Sequence, residues 1–207
     1  MFDIDCEEDS FCDILVENGI ETFTFDIPFT NHDDVFKTTK HIIEENNVQN
    51  IMGYSYGCVT AMQYAQRNKI GTLILLDPFS HGIKVPKIEL NNKLEFHRES
   101  IAELIEEQTS MNETMRRAYL ESLDEVFYAP KYPIATTRRV RSAFMSEFFL
   151  SSLQCDDVLV IFTGEPDEQA KRAYEKFNTQ FYPNASHWIL LEDTRKQLCK
   201  ALSAVLK

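Results

Sequence analysis

A serine flanked by glycines constrains this chain more than any other feature. The pentapeptide Gly-Tyr-Ser-Tyr-Gly occupies positions 53–57, after the strand-like stretch Val48–Met52 and before a stretch with a helical apolar face that starts at Cys58. These flanks predict a short buried strand followed by a helix. A sharp strand-to-helix turn strains its central residue, so the residues two before and two after it must lack bulk. The pattern therefore predicts a turn that presents the Ser55 hydroxyl at a helix N-terminus, where the dipole favours developing negative charge.

The charge balance limits the partners of the chain. The 207 residues include 33 acidic and 21 basic side chains, for a formal net charge of −12. A chain of this length can bury a real core, and its hydrophobic fraction of 43% is ordinary for a globular protein. No basic surface dominates, which argues against nucleic acid or an anionic membrane as the main partner.

The cysteines favour a reduced compartment. Their number, five, is odd, and no Cys-x-x-Cys pair occurs, so neither a disulfide framework nor a zinc site is indicated and we expect no metal. No apolar run approaches 18 residues, which predicts no membrane span. The N-terminus is acidic and lacks an apolar signal core, so we expect a cytoplasmic protein.

Predicted strands and helices alternate in the first part of the chain. We expect helices at 10–18 and 33–46, and strands at 21–27 and 70–76, in addition to the elements around the serine. Continuous apolar strands separated by helices are typical of a parallel sheet covered on both faces. The fold class is therefore predicted to be α/β.

A long helical stretch interrupts this alternation. Three helices are predicted at 93–108, 112–128 and 134–153, and this stretch is too long for a loop in a compact domain. Alternation resumes with strands at 158–163 and 179–182 and helices at 168–177 and 193–206. We therefore expect a core formed by 1–81 and 154–207, with 82–153 inserted as a helical cap or lid.

Four short motifs, in this order, resemble the α/β-hydrolase family. They are the pentapeptide at 53–57, Leu75–Pro78 closing the next strand, Gly164–Asp167 closing a later one, and Ser186–Trp188 before the last helix. The order of serine, acid and histidine is the order of that family. The resemblance covers most of the chain and implies a serine hydrolase with a helical cap and no cofactor.

The N-terminal part departs from the family pattern. The family usually has a strand ending in His-Gly, whose loop donates one oxyanion N–H, but Cys6-Glu7-Glu8 stands at that place. Two acids beside an oxyanion hole would oppose the charge that it must hold. The first two strands of the full fold are also missing, so we expect a shortened N-terminus.

A catalytic triad can be proposed by position. A serine hydroxyl needs a base within reach and an acid to orient that base. The resemblance implies Ser55 as nucleophile, His187 as base and Asp167 as acid. Asp77 is the rival acid, because the Leu-Leu-Asp strand end resembles that of thioesterase domains, and Glu165 is a third candidate.

Other residues would serve the oxyanion and the substrate. The N–H of Tyr56, directly after the nucleophile, is one expected oxyanion donor. Tyr54 could line an acyl pocket or pack against the sheet. In the cap, Phe144 and Phe148 belong to an apolar stripe that either packs the cap onto the core or forms a pocket for an acyl chain.

The sequence thus predicts a serine hydrolase that cleaves an ester or thioester of a small, partly apolar acid through an acyl-enzyme. The expected partner is this small-molecule substrate. Two alternatives stay open. The departures near the N-terminus are compatible with a catalytically impaired protein that binds a ligand or partner, and an amidase or peptidase would differ only in its leaving group.

Overall fold

The computed structural model describes residues 8–24, 32–55, 57–78, 105, 110–126, 152–166 and 168–206. The helices are α1 (Phe11–Glu17), α2 (His32–Glu45), α3 (Gly57–Ala65), α4 (Glu113–Val126), α5 (Glu168–Tyr174) and α6 (Thr194–Val205). The strands are β1 (Ile51–Tyr54), β2 (Ile70–Leu76), β3 (Cys155–Thr163) and β4 (Asn178–Tyr182), and a 3-10 turn spans Ile189–Leu191. The described residues fall into two units, a sheet unit within 27–94 and 132–183 and a helical unit within 1–26, 95–131 and 184–207.

The sheet unit contains a four-stranded parallel sheet in the order β1-β2-β3-β4. Tyr54 pairs with Leu76, and Leu76 pairs with Ile161, so the carboxyl ends of the first three strands lie along one edge. Residues Leu73 to Leu76 are each at most 2% exposed, which means that β2 is covered on both faces. The predicted α/β class with a parallel sheet is confirmed.

The core of the sheet unit lies between α3 and the strands. Cys58, Val59 and Met62 of α3 pack with Leu73 and Leu75 of β2 in one apolar cluster. Each of these side chains is at most 2% exposed. Burying this area holds α3 directly behind the strand that precedes it, and this packing fixes the geometry of the turn between them.

The helical unit contains α1, α4, the 3-10 turn and α6, and α1 packs against α6. A capping box begins α1: the Ser10 hydroxyl accepts the Asp13 N–H at 3.2 Å, and the Asp13 carboxylate accepts the Ser10 N–H at 2.8 Å. Phe11, Ile14 and Leu15 are buried. The helix predicted at 10–18 is confirmed.

Several predicted elements differ from the structure. Residues 21–24, the described part of the strand predicted at 21–27, form no strand, and Phe23 is 44% exposed. The strand prediction is wrong over these residues, because an alternating sequence forms a strand only where a neighbouring strand pairs with it and one face is buried. The strand predicted at 48–52 is Ile51–Tyr54, since the Asn50 side chain, not a strand carbonyl, accepts the Thr72 N–H at 2.9 Å.

The second half agrees more closely. Helix α4 confirms the helix predicted at 112–128. Of the helices predicted at 93–108 and 134–153, the structure describes only Ile105, which is helical, and residues 152 and 153, which are not. The 3-10 turn at Ile189–Leu191 was not predicted. The cap boundaries at 82 and 153 stay a prediction; α4, which falls between them, groups with α1 and α6 in the helical unit. Among the described residues, no helix is long and apolar enough to cross a membrane.

Candidate active site

Ser55 occupies a sharp turn between β1 and α3. Its φ is +51°, a left-handed conformation that a side chain other than glycine rarely adopts. The Ser55 N–H donates to the Leu76 carbonyl at 2.9 Å, and the Ser55 carbonyl accepts the Cys58 N–H at 3.1 Å. These two bonds tie the serine to the end of β2 and to the first turn of α3. The strand–turn–helix arrangement predicted from the sequence is present.

Gly53 makes this turn possible. A Cβ at position 53 would lie 2.6 Å from the Cα of Cys58 and 2.6 Å from the carbonyl oxygen of Gly57. Both are backbone atoms of α3, so they cannot move aside as a flexible side chain could. The first glycine of the pentapeptide is therefore required by the close approach of the helix to the strand.

Cys58 lies directly beneath the turn and is fully buried. Its thiol donates to the Gly53 carbonyl at 3.1 Å and contacts the Leu76 carbonyl at 3.5 Å. Burial, and next the nearby Asp77 carboxylate, raise the pKa of this thiol well above its ordinary value, so it stays protonated. Cys58 is therefore a small core residue beneath the serine, and its thiol links the ends of β1 and β2.

Asp77 follows β2 at the same edge of the sheet. It is 2% exposed and has a φ of +46°. Its N–H donates to the Ile161 carbonyl at 2.7 Å, and its Oδ1 accepts the Thr163 N–H at 3.2 Å. The carboxylate is thus held in place between β2 and β3, one strand away from Ser55.

The other acid candidates follow β3. Glu165 is exposed and pairs with Lys171 at 3.2 Å, so its carboxylate is engaged at the surface. Gly164 has a φ of +66° and donates its N–H to the Tyr182 carbonyl at 3.0 Å. Asp167 lies outside the described residues.

His187 belongs to the helical unit, in the segment between β4 and the 3-10 turn. Its ring is partly buried, and its centroid lies 5.9 Å from that of Trp188 in an edge-on arrangement. Trp188 in turn contacts Tyr119 of α4, with 5.7 Å between the ring centroids. The candidate base therefore lies next to an aromatic pair that joins its loop to α4.

A buried acid near His187 was missed by the sequence analysis. Glu192 is 1% exposed, and its Oε1 accepts the Ser186 N–H at 2.9 Å and the Ser186 hydroxyl at 2.5 Å. The sequence around it predicts only the start of α6, and local pattern does not distinguish a buried carboxylate from a solvated one. The signal that could have found it is its distance of five positions from His187.

The chain is similar to known proteins in its structure but not detectably in its sequence. No protein-family model matches the chain, and no curated protein sequence matches it. Among solved structures, a monoacylglycerol lipase from Paleococcus ferrophilus is similar with a TM-score of 0.62 and 16% identity, over 95% of this chain and 86% of that one. The chain has the α/β-hydrolase fold.

Two further structures agree. A meta-cleavage product hydrolase from Pseudomonas fluorescens gives a TM-score of 0.59 at 14% identity, over 90% of this chain and 74% of that one. A serine hydrolase from Cycloclasticus zankles gives 0.58 at 14% identity, with coverages of 90% and 74%. The resemblance inferred from four short motifs is thereby confirmed at the level of the fold.

Within the α/β-hydrolase fold, the structure describes only some of the predicted site residues. Ser55, Tyr54 and Asp77 lie together at one edge of the sheet unit, while His187 lies in the helical unit. Outside the described residues are Tyr56, Asp167, Phe144 and Phe148, as well as Cys6 and Glu7. Of the N-terminal acids, Glu8 is described, and its carboxylate pairs with Arg195 at 3.3 Å.

Proposed function

We propose that this chain is a serine hydrolase that cleaves an ester or thioester of a small, partly apolar acid. The left-handed conformation of Ser55 at the strand-to-helix turn carries the proposal. Such a turn costs conformational energy, and strain of this kind clusters at functional sites. The close approach of α3 at Gly53 supports it, since the turn is built by specific backbone contacts.

In the proposed mechanism, Ser55 attacks the acyl carbonyl while His187 takes its proton. The tetrahedral oxyanion is stabilised by the N–H of Tyr56, which follows the nucleophile in sequence. Protonated His187 then donates to the leaving alcohol or thiol, and an acyl-enzyme forms on Ser55. Water, deprotonated by His187, attacks this ester and releases the acid, which restores the free serine.

The acid that orients His187 is one of two aspartates. Asp167 is supported by the family resemblance. Asp77 is supported by its burial, by the Thr163 N–H that holds its carboxylate, and by its place one strand from Ser55. These observations favour Asp77.

Labelling with a fluorophosphonate probe tests the proposed nucleophile. We expect modification of Ser55 in the folded protein, none in Ser55→Ala, and none in urea-unfolded wild type, since activation requires the assembled site. If folded wild type is not labelled, the hydrolase proposal fails. Binding of acyl ligands that persists in Ser55→Ala would then support a binding protein. If wild type is labelled, its rates of turnover of esters, thioesters and aminoacyl amides would show which of the three substrate classes it prefers.

Paired substitutions test the acid. Asp77→Asn keeps an oxygen that accepts the Thr163 N–H, so stability should change little. If Asp77 serves His187, this variant should slow phosphonylation by about 100-fold or more, because an amide cannot stabilise the imidazolium. Asp167→Asn should then react at close to the wild-type rate, and the reverse ranking would assign the role to Asp167.

A further inference from the structure

One carboxylate oxygen collects three hydrogen bonds beside the candidate base. Oε1 of Glu192 accepts the Ser186 N–H at 2.9 Å, the Ser186 hydroxyl at 2.5 Å and the Ser110 hydroxyl at 2.7 Å. The residue is 1% exposed, and within the described part of the protein its second oxygen, Oε2, has no hydrogen-bond partner. Burying a carboxylate costs free energy unless it is well hydrogen-bonded, and an apolar side chain could fill the same space without that cost.

Ser186 extends these bonds to the far side of His187. Its hydroxyl donates to Glu192 and accepts the Trp188 N–H at 3.1 Å. The peptide N–H groups of Ser186 and Trp188, which precede and follow His187, are therefore both fixed by this arrangement. Because a backbone held on both sides limits where the side chain between can point, these bonds restrict the imidazole.

The same carboxylate attaches the loop to the segment before α4. Beyond the Ser110 bond, Met111 forms an isolated antiparallel bridge with Glu192, and the Asn112 N–H donates to the Leu191 carbonyl at 3.1 Å. Met111 and Met115 pack with Leu191 in one apolar cluster, with Trp188 against it. Polar and apolar contacts thus join residues 110–115 to the loop that carries His187.

We propose that Glu192 is a positioning residue for His187. Through Ser186 it fixes the backbone on both sides of the histidine, and through Ser110 it makes the orientation of that loop depend on the segment that begins α4. The inference rests on the proposed function for its catalytic meaning. The segment 110–126 then acts on the reaction by holding the base, in addition to any contact with substrate.

The serines allow a test that leaves Glu192 itself in place. Ser186→Ala removes the hydroxyl that joins Glu192 to Trp188, and we expect Ser55 to react with the fluorophosphonate about tenfold more slowly or worse, since small misplacement of a catalytic group is costly in rate. Ser186→Thr restores a hydroxyl and should recover most of the rate. Ser110→Ala should also slow the reaction, whereas Ser122→Ala, which removes a hydroxyl of α4 that donates to the Tyr119 carbonyl of the same helix, should not.

A second readout does not depend on catalysis. Trp188 is the only tryptophan of the chain, so its fluorescence anisotropy reports the motion of the loop next to His187. Ser186→Ala and Ser110→Ala should lower the anisotropy, while Ser122→Ala should match wild type. If wild type is not labelled, the proposed function fails, but the anisotropy still tests the attachment of the loop. Lowered anisotropy in Ser186→Ala and Ser110→Ala would then support that attachment, and unchanged anisotropy would reject it. Wild-type values of both rate and anisotropy in Ser186→Ala would overturn the inference.

Discussion

Ser55 and Asp77 occupy equivalent positions at the ends of neighbouring parallel strands, and both have left-handed backbones, with φ of +51° and +46°. The preceding residues, Tyr54 and Leu76, are paired in register, and the Ser55 N–H donates to the Leu76 carbonyl at 2.9 Å. A left-handed conformation costs a residue with a Cβ about 1–2 kcal/mol. The strain at these two adjacent strand ends indicates that the backbone here holds the Ser55 and Asp77 side chains in specific positions at a cost in stability.

The strain at Ser55 predicts an unusual ranking of two substitutions. Because glycine adopts a positive φ without penalty and alanine does not, Ser55→Gly should be more stable than Ser55→Ala by about 1 kcal/mol. Urea unfolding followed by circular dichroism measures the difference, and neither variant should react with a fluorophosphonate.

A helical serine gives the matched control for that ranking. Ser203 lies within α6 and donates its hydroxyl to the Cys199 carbonyl at 2.7 Å. In a helix interior glycine is about 1 kcal/mol worse than alanine, so the order should reverse at this position. If alanine is the more stable variant at both positions, the left-handed conformation of Ser55 is contradicted.

Close packing at Gly53 predicts a large cost for one methyl group. A Cβ there would lie 2.6 Å from backbone atoms of Cys58 and Gly57, so Gly53→Ala should lower the free energy of unfolding by about 2–3 kcal/mol and slow the labelling of Ser55. Gly71→Ala in β2 is the control. Its Cβ would lie 3.0 Å from the Asn50 Oδ1 and 3.1 Å from the Gln49 carbonyl oxygen, so these atoms need to shift by only a few tenths of an ångström and the cost should be smaller than at Gly53.

The features that were predictable from sequence are those with a local pattern. The period of apolar residues located β2 and α4, and the glycines around Ser55 located the turn. Residues 21–24 alternate as a strand would, yet form none, because a strand also needs a partner that local sequence does not supply. The spacing of Glu192 from His187 does not reveal that its carboxylate is buried, since part of that burial comes from contact with Ser110, which is 82 positions away.

The contacts of the buried Arg195 predict that position 195 requires a guanidinium. Its Nε donates to the Asp9 carbonyl at 3.1 Å, Nη1 to the Glu192 carbonyl at 3.0 Å, and Nη2 lies 3.3 Å from Glu8 Oε2. A lysine carries its three N–H donors on a single nitrogen and cannot reach three acceptors spread around a guanidinium plane, so Arg195→Lys should lower the free energy of unfolding by about 2–3 kcal/mol.

Lys196 provides the control, because it pairs with the same Glu8 oxygen at 3.6 Å but is largely exposed. Lys196→Ala should change the free energy of unfolding by less than about 0.5 kcal/mol. Equal costs for the two substitutions in chemical denaturation would show that the charge on Glu8, and not the three bonds of Arg195, is what matters.

Cys199 predicts how stability depends on alkaline pH. Burial raises the pKa of its thiol from the ordinary value of 9.0 to about 12. The positive charge of Arg195 lowers this pKa but offsets only part of the effect of burial. Between these values the folded state keeps a proton that the unfolded state loses, so the free energy of unfolding falls as pH rises. One such group contributes a slope of about 1.4 kcal/mol per pH unit.

Replacing this thiol should flatten the decline. In Cys199→Ala the fall in the free energy of unfolding between pH 9.5 and 11 should be shallower than in wild type by about 1.4 kcal/mol per pH unit. Other groups with raised pKa values, such as Tyr119, are retained in both proteins and cancel in the comparison. Ser203→Ala removes a buried hydroxyl one turn further along α6 without removing a titrating group, so its decline should run parallel to that of wild type. A parallel decline in Cys199→Ala as well would mean that the folded protein ionises this thiol as readily as the unfolded chain does.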